Sequence, residues 1–258
     1  MGDILGLITA SSEVQTVDGV TQITSIVSAY VGIYSSPPFE GLCDVETIGP
    51  CARSRCGPLT GDPVTAWQVD AGTLTLDGGT RDVALEVLAD GSYDYYLSTT
   101  EHLFVGGESL VVTAPGGEYV PAFEIAVTAP SAIDLVAPTF GPEGLTVGGV
   151  DLDVEWTGGE AGSVVIYLST FSNDQGAETS QANLVCTFAA AAGEGVVPAA
   201  ALAELLPTSD AVNGNFSVVS LSLQIAEVGT GTVELRAFGT ARSEGADDGT
   251  PFGELYVE

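Results

Sequence analysis

Runs in which apolar and polar residues alternate recur along the whole chain, separated by glycine and proline. This period of two is the mark of antiparallel strands with one buried and one solvated face. The clearest is Asp151-Leu152-Asp153-Val154-Glu155-Trp156, where Leu152, Val154 and Trp156 share one face and the three carboxylates the other. The same alternation predicts strands over 27–34, 72–76, 83–88, 93–97, 110–113 and 123–127 in the first half. In the second half it predicts strands over 164–168, 216–225 and 233–238. Asp77-Gly78 and Asp90-Gly91 supply the tight-turn signal, since glycine accepts positive φ without steric cost. Strands spaced in this way point to a sandwich or barrel.

One helix is predicted, from Pro198 through Ala199-Ala200-Ala201-Leu202-Ala203-Glu204-Leu205-Leu206, with proline at its first turn and Pro207 ending it. Proline breaks near Pro130 and Pro138 divide the 258 residues into 1–129 and 130–258, each the size of one sandwich. The expected fold class is therefore all-β: two tandem antiparallel β-sandwich domains of immunoglobulin-like type, with one short helix in the second.

Composition narrows the chemistry. An apolar share of 45% with only 16% charged residues gives ample material for a core. The formal charge of −30 arises from 35 acids against five bases, all of them arginine: Arg53, Arg55, Arg81, Arg236 and Arg242. Such a surface repels phosphate backbones and anionic headgroups, so nucleic acid is excluded as a partner. Acids that cannot be matched by internal cations leave a self-repulsion that salt or divalent cations relieve. No apolar run is long enough for a membrane-spanning helix. The stretch Met1-Gly2-Asp3-Ile4-Leu5 lacks a basic region and a cleavage site, so export requires a leader ahead of it.

Export is the expectation from the cysteines. Cys43, Cys51 and Cys56 crowd a Gly/Pro-rich, loop-like stretch, as in the disulfide staples of secreted chains. One bond within this cluster is expected; a zinc site is the alternative, disfavoured by irregular spacing and a distant histidine. Cys186, in the alternating run Leu184-Val185-Cys186-Thr187-Phe188, reads as a small buried hydrophobe.

Val150 to Leu168, with Trp156 closing one strand and Val164-Val165-Ile166-Tyr167-Leu168 forming the next, resembles the early strands of immunoglobulin-like or fibronectin-type modules. Ile48-Gly49-Pro50-Cys51, Gly106-Gly107-Glu108, Val120-Pro121-Ala122-Phe123 and the stretch from Val185-Cys186-Thr187-Phe188 to Val197-Pro198-Ala199 resemble parts of surface lipoproteins from GC-rich predatory and social bacteria. That resemblance implies an extracellular or cell-surface location and a β-sandwich fold, and implies no reaction.

Catalytic prospects are few. His102 is the one histidine, set in a loop with no nucleophile elbow nearby. The absence of lysine removes Schiff-base chemistry and phosphate-binding P-loops. Asp151, Asp153 and Glu155 are candidates for a carboxylate hydrolase, but alternation places them on an exposed face where an acid's pKa stays low. No catalytic residue is assigned and the chain is read as a non-enzyme without a cofactor other than calcium. Calcium candidates are Asn173, Asp174 and Glu178 in one acid-rich loop and Asp247 and Asp248 in another, with ordinary turns as the alternative. Tyr93, Tyr95 and Tyr96, together with Tyr30 and Tyr34, form either a sugar-stacking platform or cross-strand core pairs.

The expected function is thus a non-catalytic structural or adhesive surface protein whose partner is a protein or glycan on a cell surface. Alternatives are self-association into a fibre or coat by strand addition, through Ile4 to Thr9 or Phe252 to Glu258, and a glycan- or calcium-binding module or carboxylate hydrolase.

Overall fold

The computed structural model describes residues 3–17, 20–34, 43–56, 66–99, 101–139, 144–172, 181–239, 241–243 and 252–258. Its first half holds β1 (Asp3–Val17), β2 (Val20–Tyr34), β3 (Cys43–Ile48), β4 (Cys51–Cys56), β5 (Ala66–Gln68), β6 (Leu74–Asp77), β7 (Val83–Leu85), β8 (Tyr93–Thr99), β9 (Ser109–Ala114) and β10 (Phe123–Thr128). The second half holds β11 (Ile133–Ala137), β12 (Leu145–Val147), β13 (Leu152–Gly158), β14 (Ser163–Ser172), β15 (Gln181–Ala189), β16 (Glu194–Val197), α1 (Ala199–Leu202), β17 (Val212–Val228), β18 (Gly231–Gly239), β19 (Ala241–Ser243) and β20 (Phe252–Val257). Among the described residues the fold is all-β apart from α1 and one turn of 3₁₀ helix at Ala190–Ala192.

Among the described residues, one twelve-stranded sheet runs in the order β3-β4-β15-β14-β17-β18-β1-β2-β5, with β8 also paired to β2 and β20 to β17 and β12. Two four-stranded sheets, β10-β9-β6-β7 and β16-β13-β11-β19, cover its inner face at either end. The architecture is mixed where a purely antiparallel one is expected: β1 runs parallel to β18, β11 to β19 and β12 to β20. A chain whose ends re-enter sheets already built pairs wherever an edge is open, and local alternation carries no information about that direction.

The first core packs Ile8, Val27, Val31, Val233 and Leu235 of the large sheet against Leu74, Leu76, Leu110, Val112 and Ile125 of the first small sheet. The second packs Val164, Ile166, Leu168, Leu184, Phe216 and Val218 against Ile133, Leu135, Val154 and Trp156, closed by Leu202 and Leu205 beside α1. β17 belongs to both. Its 17 residues place Phe216 and Val218 in the second core and Val228 in the first. Strands from both sides of residue 129 therefore share the large sheet: β4 pairs with β15, and β1 with β18.

The stretch around Cys43 to Cys56, expected as a loop, is a hairpin turning at Gly49-Pro50, where Gly49 sits at φ 60°. It forms because Cys43 bonds to Cys56 and β4 adds to the edge of β15. Cys186 is buried, as an apolar residue would be, but it is a disulfide partner: it pairs with Cys51 across β4 and β15. The expectation of a lone hydrophobe fails because the partner lies 135 residues away, beyond the reach of local pattern. The helix is shorter than predicted, with Pro198 just ahead of Ala199 and Ala203 at its end. Leu202 and Leu205 are drawn into the core there, and tertiary packing overrides propensity.

Candidate functional site

Among the described residues, a cleft opens on the outer face of the large sheet at the end where β14, β17 and β20 lie side by side. Register fixes what it contains. Tyr167, Ser169 and Phe171 on β14 stand opposite Ser217, Asn215 and Asn213 on β17. On the other flank, Ser217 and Asn215 stand opposite Phe252 and Glu254 on β20. Alternation puts Tyr256 on the same face as Glu254. Phe171, Asn213, Asn215, Glu254 and Tyr256 line a cleft of about 510 Å³ together with Asp210 from the turn ahead of β17. The close approach of β20 depends on Gly214, where an added Cβ would run into the Leu255 carbonyl oxygen. Tyr256 donates its hydroxyl to Glu254.

The sole histidine occupies a second, smaller cavity of about 90 Å³ between the two cores, lined by Ser12, His102, Phe104, Pro130 and Arg242 among others. Ser12 Oγ lies 3.0 Å from His102 Nδ1 and accepts the Leu103 N–H at 3.2 Å. Burial, and secondarily the charge of Arg242, hold the His102 imidazole below its usual pKa. Arg242 itself lies 3.8 Å from Asp134. A serine beside a histidine has the composition of a hydrolytic pair, but Ser12 is 1% exposed and already accepts a backbone N–H. The geometry is that of a junction, not of an activated nucleophile reached by substrate.

Of the carboxylate candidates, Asp153 and Glu155 point outward from β13, whereas Asp151 accepts the Ala199 N–H at 2.7 Å and so secures the start of α1. No buried acid pair is formed by the three. The tyrosines split. Tyr93 is fully buried, accepts the Ala71 N–H at 2.9 Å and donates toward Asp70. Burial first, and then Asp70, raise its hydroxyl pKa against the lowering effect of the Ala71 N–H. Tyr95 packs on the first core, Tyr30 is half-buried, and Tyr96 stands 68% exposed on the outer face. The side chain of Tyr34 lies outside the described residues, as do all five calcium candidates, Asn173, Asp174, Glu178, Asp247 and Asp248. Among the described residues no group of three or more His, Cys, Asp or Glu side chains is placed to hold a metal ion.

Sequence reasoning missed the cleft residues. Phe171, Asn213, Asn215 and Glu254 are far apart along the chain, and only the pairing of β14 and β20 to the same end of β17 brings them together. It missed Arg53 too, a buried cation on β4 bonded to Asp44 at 2.9 Å and Glu46 at 2.8 Å, with Glu204 3.5 Å away. Burial disfavours its charge, but the hydrogen bond and charge of Asp44, with Glu204 and Glu46, outweigh that and raise its pKa.

Fold and geometry together define a disulfide-stapled all-β protein with an acidic exterior and an open cleft on one sheet face. No protein-family model matches the chain, and no curated protein matches it. A solved structure similar to it is described as a Ca²⁺-stabilized adhesin that helps an Antarctic bacterium reach out and bind ice. The identity is 12%, the match covers 94% of this chain and 74% of that one, and the TM-score is 0.17. Among the described residues no helix is long and apolar enough to cross a membrane.

Proposed function

We propose that this chain is a non-catalytic extracellular surface protein of structural or adhesive kind, made of two immunoglobulin-like sandwiches that a shared sheet holds as one body. The observation that carries this reading is the large sheet itself. It runs through both cores and is pinned by Cys51–Cys186 across neighbouring strands. Disulfides of this kind persist in oxidising compartments, which supports an exported location. The poor access to Ser12 supports a binding role over a hydrolytic one.

Beads coated with the purified chain, passed over bacterial cells and abiotic surfaces under flow, test the reading. Retention above that of beads coated with an unrelated acidic protein is expected, with no turnover of ester, peptide or glycoside substrates. Turnover abolished by His102→Gln would overturn it.

Strand addition has less support. Ile4 to Thr9 lies in β1, paired on both sides by β18 and β2, and β20 is paired by β17 and β12. Donating either segment requires extracting it first, so light scattering is expected to show a discrete small particle. Calcium remains part of the proposal through the acid-rich loops at Asn173, Asp174 and Glu178 and at Asp247 and Asp248, on the sequence argument alone.

A further inference from the structure

The cleft on the outer face has a chemistry narrower than adhesion in general. Three neighbouring strands, spaced about 4.8 Å apart, present same-face side chains every ~6.8 Å along each strand. The central strand supplies a floor of two amides, Asn213 and Asn215. Its walls carry two aromatic rings, Phe171 on β14 and Tyr256 on β20. Tyr256 is 41% exposed, so this ring has not been consumed by the core. Glu254 and Asp210 add carboxylate acceptors, and among the described residues no basic side chain lines the cleft.

This combination selects its ligand by elimination and by fit. An anionic ligand meets two carboxylates, no compensating arginine and a chain of net charge −30. A peptide adding by strand pairing finds no open backbone, because β17 is paired on both sides here. A purely apolar ligand would strip water from the amides and acids without replacing its hydrogen bonds. A ligand with many hydroxyls and flat apolar faces satisfies every group. Its hydroxyls donate to Glu254 and Asp210, accept from the amides, and its C–H faces stack on the rings. The volume of about 510 Å³ is that of a small-molecule site.

Resting on the adhesive reading above, we infer that the cleft formed by Phe171, Asn213, Asn215, Glu254, Tyr256 and Asp210 binds an uncharged oligosaccharide. Asn215, at the centre of the floor, is the specificity-determining contact, and Phe171 and Tyr256 are the stacking rings.

The test is an array of neutral and acidic oligosaccharides of glucose, galactose, mannose and N-acetylglucosamine type, with hits followed by calorimetric titration on the whole chain. A neutral glycan is expected to bind, with affinity falling at least about tenfold in Asn215→Ala and in Phe171→Ala. Glu254→Gln, which keeps shape and loses charge, is expected to weaken binding less than Asn215→Ala. Tyr96→Ala, on the outer face but outside the cleft, should change nothing, and unaltered melting temperatures will show that each variant folds. The inference is overturned if no neutral glycan binds at millimolar concentration, if acidic glycans bind better, or if Asn215→Ala and Phe171→Ala bind as the parent does. Bead adhesion that survives in Asn215→Ala and Phe171→Ala leaves the surface role standing while removing this site; loss of all adhesion in the parent chain removes the surface role itself.

Discussion

His102 is the most informative single side chain, because its environment opposes protonation. An unfolded histidine takes up its proton near pH 6.5. In the fold, burial and then Arg242 lower that pKa, so below about 6.5 the unfolded chain binds the proton first. The surrounding groups leave this sign unchanged: Ser12 is uncharged, Arg242 repels, and the Asp134 and Glu101 carboxylates engage Arg242 and Arg81 respectively. Stability should therefore be full above pH 6.5 and decline as pH falls through the window down to the folded pKa. Urea midpoints at pH 7.0 and 5.5 check this. The parent should lose stability between them and His102→Gln should lose less; equal losses would contradict the assignment. Glu108 acts at lower pH: burial opposes its charge, but the N–H groups of its own residue, Gly106 and Val105 prevail and depress its pKa. Its contribution is present above the ordinary carboxylate range and disappears as pH falls through the folded value.

Tyr93 illustrates what was and was not legible from the residues. Period-two alternation correctly put it on a strand, but whether a tyrosine ring faces sugar or core is decided by what the opposite sheet supplies. Here that is a buried slot ending at the Ala71 N–H, which Tyr93 satisfies. Tyr93→Phe leaves this donor unpaired and should cost about 1–3 kcal/mol in equilibrium unfolding. A change near zero would mean that water replaces the hydroxyl.

Among the elements, β4 and β17 carry the architecture. β4 is an edge addition secured by Cys43–Cys56 to its hairpin partner and by Cys51–Cys186 to β15. The second bond closes a loop of 135 residues, so its removal should matter more than that of the first, which spans 13. Cys51→Ala with Cys186→Ala is expected to lose about 3–5 kcal/mol and Cys43→Ala with Cys56→Ala about 2–3 kcal/mol. The reverse order would place the stabilisation in the native hairpin, not in the closed loop. Strands such as β13 and β14 were legible because one face is wet and the other dry. The hairpin of β3 and β4 was not, since β3 is exposed on both faces and shows no alternation. Its outward Asp44 and Glu46 place charge on the last strand of the large sheet, a feature that discourages another chain from pairing there.

The whole molecule is governed by two quantities that composition did reveal, its apolar content and its excess of acid. Ion pairs exist, but five arginines against 35 acids cannot neutralise the surface. Melting temperature should therefore rise with ionic strength as screening relieves repulsion. Calcium should raise it further if the acid-rich loops bind the ion, and chelator should reverse only that second increment. A melting temperature unmoved from low salt to about 0.5 M would show that repulsion is already negligible. What composition could not reveal is that the halves interlock. Proline breaks near residue 130 mark a change of core, yet β1 and β18 pair across it, as do β4 and β15. Such pairings are set by which edges remain open late in assembly, a property of the completed topology and not of any local window.

The shared sheet joins the two cores through β17, which contributes residues to both. Differential scanning calorimetry measures the coupling most directly. The two cores should melt in one transition whose calorimetric and van't Hoff enthalpies agree. Two resolved transitions, each with the enthalpy of about half the chain, would show that the two cores are independent and that the shared strand does not bind them into one body.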